Sequence, residues 1–248
     1  SEVNNVNFAI ASISVSAIQV PAATNYTQLN FNETAMTQNI VSPVNGGNTM
    51  PNQVYVDLSS GASTPVLRTG WDLGFYSGAE NRVTINGAIN KFSVKQLNTT
   101  NIDEVQTEDA TVTVGNFDPA GIHFIDHPNG NINQTAIAEI ADVDANNKVY
   151  LVNLGQEVAA APAAGTAVAL NGTARGWKKI RILKSGNDYK LQYANLDATT
   201  HSEVIISKNA AYNFTFFSFA TNSVVMAEPL KDKWDLTITT FTNFTQYE

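Results

Sequence analysis

The 248-residue chain contains no cysteine, so it can form neither a disulfide framework nor a thiolate metal site. Charge is scarce as well. Asp, Glu, Lys and Arg supply only 15% of the residues, and polarity rests on Asn, Thr and Ser instead. No run of Lys or Arg occurs and the formal net charge is −8, which argues against nucleic acid and anionic membrane as partners. No apolar segment is long enough to cross a bilayer, and the opening Ser-Glu-Val-Asn-Asn is no signal peptide. Histidine is limited to three positions, and no nucleophile–base set or carboxylate pair stands at readable spacing. An enzyme is therefore the least favoured class.

What is present is β-forming. Hydrophobic residues make up 43% of the chain, enough for a substantial core, and Val, Ile, Thr and aromatics recur among uncharged polar residues. One phrase occurs twice. Val54-Tyr-Val-Asp-Leu-Ser-Ser-Gly leads through a short variable stretch to Gly70-Trp-Asp-Leu-Gly-Phe. Phe214-Thr-Phe-Phe-Ser-Phe leads through a similar length to Lys233-Trp-Asp-Leu-Thr-Ile. Such a repeat signifies one supersecondary element used twice. Either the second unit is cut short or it completes a sheet begun by the first.

Three regions follow from this pattern. Residues 1–50 read as an N-terminal arm and linker, with one or two strands in the loose alternation Phe8 to Val20 and a Pro/Gly/Asn-rich linker at 42–51. Residues 51–208 form a β unit, and residues 209–248 begin a second Trp-Asp-Leu unit that could pack on the first. Strands are expected at 54–58, 71–76, 82–85, 91–96, 111–114, 135–141, 148–154, 177–184, 189–195, 203–207, 214–219, 223–226 and 234–241. One short helix is expected at 101–107, opened by a capping-box pattern at Thr100-Asn-Ile-Asp103. The fold class is all-β, an antiparallel sandwich or partly open barrel. The alanine-rich stretch 158–169 lacks core alternation and reads as a mobile loop.

Several motifs have plain explanations. Asp142-Val-Asp-Ala-Asn lacks the Gly and Glu that a calcium loop needs at its sixth and twelfth positions, and reads as a tight turn. Seven Asn-x-Thr triplets, at Asn25, Asn32, Asn98, Asn133, Asn171, Asn213 and Asn243, follow from the abundance of Asn and Thr. Trp71-Asp72 and Trp234-Asp235 read as a buried ring at a strand start with a carboxylate accepting N–H bonds in the preceding turn. His201 reads as a surface hairpin residue. His123 and His127 share one loop, Gly121-Ile-His-Phe-Ile-Asp-His-Pro-Asn-Gly130. A zinc pair would need a third protein ligand, whereas haem iron needs only one or two axial ligands.

The order Tyr55-Val-Asp-Leu-Ser-Ser-Gly, Gly70-Trp-Asp-Leu-Gly-Phe-Tyr76, Ile85-Asn-Gly-Ala88, Lys148-Val-Tyr-Leu-Val152, Trp177-Lys-Lys-Ile-Arg-Ile-Leu-Lys and Tyr189-Lys-Leu-Gln-Tyr-Ala resembles the HmuY-type haem-binding lipoproteins of Bacteroidetes. The resemblance covers roughly residues 51–208. It implies an all-β, non-enzymatic domain at the cell surface, anchored to the outer membrane through a lipidated cysteine upstream of Ser1. It also implies capture of haem, or another flat apolar ligand, between two axial side chains, and transfer to a TonB-dependent receptor. By that resemblance His123 lies nearest the first ligand's place, with His127 second. No His or Met occurs between Leu151 and Trp177, where the second ligand would stand. That leaves a single axial ligand, one lent by Met50 or Met226, or a member without haem. Arg82, Lys91 and Arg175 are the candidate propionate partners. The rival class is a structural or adhesive β module that binds glycan or protein through Asn/Thr-rich faces.

Overall fold

A computed structural model describes residues 47–115, 119–161 and 171–243. The arm assigned to residues 1–50 and the alanine-rich stretch thus fall mostly outside the described residues. Among the described residues twelve strands form three antiparallel sheets. They are β1 (Asn52–Asp57), β2 (Ala62–Leu67), β3 (Leu73–Tyr76), β4 (Val83–Ile85), β5 (Ser93–Gln96) and β6 (Val149–Asn153), followed by β7 (Trp177–Ser185), β8 (Asp188–Asn195), β9 (Ser202–Ile206), β10 (Phe214–Ser218), β11 (Ser223–Val225) and β12 (Leu236–Ile238). The sheet orders are β12-β1-β2, β11-β10-β3-β4 and β5-β6-β7-β8-β9. None closes on itself, so the fold is an all-β sandwich and not a closed barrel.

The core lies between the four- and five-stranded sheets. Alternation puts Leu73, Phe75, Val83 and Ile85 on one side and Val94, Val152, Ile180, Ile182 and Leu191 on the other, all in one buried cluster. Tyr189 crosses this interface. Its ring packs edge-on to Phe75 at 5.2 Å, and its hydroxyl donates to Tyr76 O at 2.8 Å. A smaller cluster of Trp71, Phe216 and Ala227, with Val66 from β2 against it, fills in behind the four-stranded sheet.

The repeated phrase forms a reciprocal exchange. The Trp-Asp-Leu strand of each copy pairs with the leading strand of the other. In one pairing Phe217 faces Leu73, and in the other Val56 faces Leu236 in the equivalent register. Asp72 N–H donates to Phe217 O and Asp235 N–H to Val56 O, each at 2.8 Å. The Asp72 carboxylate accepts from Phe219 N at 2.6 Å, and the Asp235 carboxylate accepts from Leu58 N at 2.8 Å. Trp71 stacks edge-on against Phe216 at 4.6 Å, and Trp234 does the same with Tyr55 at 4.9 Å. The second unit therefore completes sheets begun by the first. The clasp expected within the preceding turn instead joins strands far apart in sequence.

Local expectations are corrected at several points. Residues 111–114 and 135–141 form no strand, although Val112, Val114, Ile137 and Ile140 are buried. The expected helix at 101–107 shrinks to a single 3-10 turn, Ile102–Glu104, capped by Asn101 rather than Thr100. Of residues 234–241, only Leu236–Ile238 form a strand. Strand β2 had no counterpart in the sequence reading. His201 lies partly exposed in the β8–β9 hairpin as expected, and its Nδ1, 2.9 Å from Asp103 Oδ1, ties the 3-10 turn to that hairpin.

Candidate functional site

The histidine loop lies over one end of the five-stranded sheet. Its approach is fixed by Val112, whose carbonyl accepts from Ser93 Oγ at 3.1 Å and Asn153 Nδ2 at 2.9 Å. Residues Pro119–Phe124 then form 3-10 turns. Phe124 packs on a cluster of Val112, Leu151 and Leu196, joined by Leu97, Val105 and Trp177, while Ile125 enters the main core. Adjacent side chains thus point in different directions, and His123 is left exposed beside the half-buried ring of Phe124.

Asp126 holds the loop down. Its carboxylate accepts from Ile85 N and Ala136 N, each at 2.8 Å. The residue reaches solvent in part, but its carboxylate is enclosed, and burial pushes it up to about 7 against the pull of those two N–H bonds. His127 is also exposed but has a structural part. Its ring Nδ1 accepts from Asn129 N at 3.2 Å, and its backbone N–H donates to Gln134 O at 2.9 Å. That leaves Nε2 as the ring nitrogen without this turn bond.

The loop after β6 is pinned at its base. Gln156 bridges Ala174, and Glu157 N donates to Thr173 O at 2.8 Å. Gly155 turns at φ +68, where a Cβ would sit 2.3 Å from Asn90 O. Arg175 is almost wholly buried. Its Nη1 lies 2.8 Å from Asp72 Oδ1 and 3.0 Å from Leu154 O, and its Nε donates to Glu157 at 3.2 Å. The Trp-Asp-Leu aspartate thereby locks this loop to both repeat units. Burial pushes the Asp72 carboxyl up, opposed by Arg175 and by Phe219 N–H.

Arg175 is consequently no propionate partner, because its guanidinium is already committed. Arg82 is paired with Glu139 at 3.2 Å. The basic residues of Trp177-Lys-Lys-Ile-Arg are structural too. Lys179 is fully buried and donates to Val105 O at 2.7 Å and Ala198 O at 2.5 Å, while Arg181 donates to Asn147 O and Asp144 O. The sequence offered no sign of these long-range pairings.

A concavity lies elsewhere. A groove of about 510 Å³ runs over β10 between the end of β9 and residues 224–228. Phe214, Phe216, Val225 and Ala227 line it, with Met226 exposed at its rim and no histidine in its wall. Met50, the other methionine named from the sequence, is half-buried with φ +45, and its carbonyl accepts from Arg68. Among the described residues no three His, Asp or Glu side chains are grouped to hold a bare metal ion.

Chemically, the histidine loop offers two exposed imidazoles, of which His123 stands next to the half-buried ring of Phe124. With Nδ1 accepting the Asn129 N–H, a neutral His127 carries its proton on Nε2, so this donor set fits haem iron with His123 as the single protein ligand better than with both rings. The chain belongs to the HmuY family, whose sequence profile, HmuY protein, matches residues 49–209. That family is haem-binding and non-enzymatic. No curated protein and no solved structure matches the chain. Among the described residues no helix is long and apolar enough to cross a membrane.

Proposed function

We propose that this protein is a haem-binding surface domain in which His123 supplies the one axial imidazole and Phe124, Trp177 and their neighbours supply the apolar contact. The observation that carries the reading is an exposed imidazole on a loop anchored within a haem-binding family's domain. Burial of one macrocycle face against apolar side chains would provide most of the affinity, and the iron–nitrogen bond the orientation. With Arg175 and Arg82 engaged, Lys91 is the candidate left for a propionate. A domain that holds haem by one side chain suits delivery to an outer-membrane TonB-dependent receptor, with a lipid anchor upstream keeping it at the cell surface. Titration of haemin into the full chain tests the reading. A shifted Soret band that is lost in His123→Ala and kept in His127→Ala is expected; no shift in the parent protein defeats it.

A second reading rests on Met226, exposed at the rim of the apolar groove. There a thioether would meet a flat apolar ligand. Loss of the Soret shift in Met226→Ala, with His123→Ala unaffected, would move the site to that groove.

A further inference from the structure

The groove over β10 carries a buried carboxylate without a counter-charge. Glu228 follows β11, lines the groove and is only 6% exposed. Its Oε1 reaches back to the start of β10 and accepts from Asn213 N at 2.5 Å and Phe214 N at 2.9 Å. Those donors and the Asn213 side chain are all neutral, and neither backbone bond falls on Oε2. Burial pushes the carboxyl up, and among the described residues no Lys, Arg or His pulls it back. Asp72, also buried, has Arg175 at 2.8 Å; Glu228 has no such partner. The lysine in the groove wall is already spent, because Lys208 Nζ donates to Gly78 O at 2.8 Å and Glu80 O at 3.2 Å.

We propose that this groove binds an organic cation, a primary amine on an apolar body, with the ammonium on Glu228 and the body on Phe214, Phe216, Val225 and Ala227. A buried carboxylate without a counter-charge is costly, so a ligand that brings the missing charge is favoured over a neutral or anionic one. An ammonium carries three donors, and Oε2 is an acceptor that no backbone N–H occupies. The rings of Phe214 and Phe216, with centroids 6.0 Å apart, add cation–π attraction. The volume of about 510 Å³ falls within the roughly 300–1,000 Å³ of small-molecule sites. The net charge of −8 attracts a cation to the protein and repels an anion. No histidine lines this groove, so the proposal does not rest on the haem reading.

Calorimetric titration of the full 248-residue chain with phenethylamine tests this, at about pH 8 so that carboxylate and ammonium are both charged. Phenylpropionate and phenethyl alcohol serve as the anionic and neutral counterparts. The amine should bind with a Kd of roughly a millimolar or below, and roughly tenfold more tightly than either counterpart. Glu228→Gln keeps an oxygen for the two N–H groups and should weaken the amine roughly tenfold while leaving the alcohol unchanged. Met226→Lys, at a rim side chain 69% exposed and so harmless to folding, should weaken the amine by like charge and spare the alcohol. Glu108→Gln, at an exposed carboxylate outside the groove, and His123→Ala should change neither. An acid that binds as tightly as the amine, an amine that does not bind, or amine binding indifferent to both groove variants overturns the proposal.

Discussion

Replacing Asp72 by Asn separates the two copies of the repeated clasp more sharply than any other single change. The two aspartates accept the same backbone bond in the same register, but Asp72 is wholly buried against Arg175, whereas Asp235 is exposed. Removing one member of a buried ion pair leaves the other charge uncompensated, at about 3–5 kcal/mol. Glu157 still contacts Arg175, which places Asp72→Asn near about 3 kcal/mol, at the lower end of that range. In a domain of this size that lowers the melting temperature by roughly 6–12 °C. Asp235→Asn keeps an acceptor oxygen in solvent and should cost less than about 1 kcal/mol. Urea unfolding followed by tryptophan fluorescence reads both, since Trp71 and Trp234 lie next to the altered residues. Adding Arg175→Met to Asp72→Asn should recover part of the loss, because the stranded charge is then gone. Equal costs for the two single variants would refute the claim that burial with Arg175 sets the clasps apart.

Lys179→Met removes an ammonium that satisfies two carbonyls and should destabilise by about 2–3 kcal/mol, again read by urea unfolding. Bonds from Lys95 and Thr111 hold the Asp109 carboxyl at about 2, below its ordinary 3.8. Its contribution is therefore present above pH 4 and lost as pH falls from about 4 to about 2. Because the pair is exposed, that contribution stays below about 1 kcal/mol. The parent and Asp109→Asn should differ slightly in stability at neutral pH and converge near pH 2; a gap that widens on acidification would contradict this.

Alternation revealed most of the strands, because strands with one face on a core show their period directly. It misled at 111–114 and 135–141. There the buried valines and isoleucines report contact with the core, which irregular chain can make as well as a ladder. Strand β2 escaped notice for the opposite reason. It is an edge strand with Pro65 in its middle and mostly exposed residues, so neither period nor propensity marks it. At the site, both histidines were visible as a loop pair. That Arg175 is spent on Asp72, and that the basic hairpin residues satisfy carbonyls, depends on contacts between segments up to about a hundred residues apart, which spacing along the chain does not encode.

The account's central claim is that iron is held by a single protein imidazole. Electron paramagnetic resonance of the ferric haem complex, with and without added imidazole, tests it most directly. For haem that stays with the chain through gel filtration, one protein ligand predicts a high-spin signal that free imidazole converts to low-spin, and His123→Ala should no longer retain that haem. A low-spin signal before any imidazole is added, unchanged in His123→Ala, would contradict it.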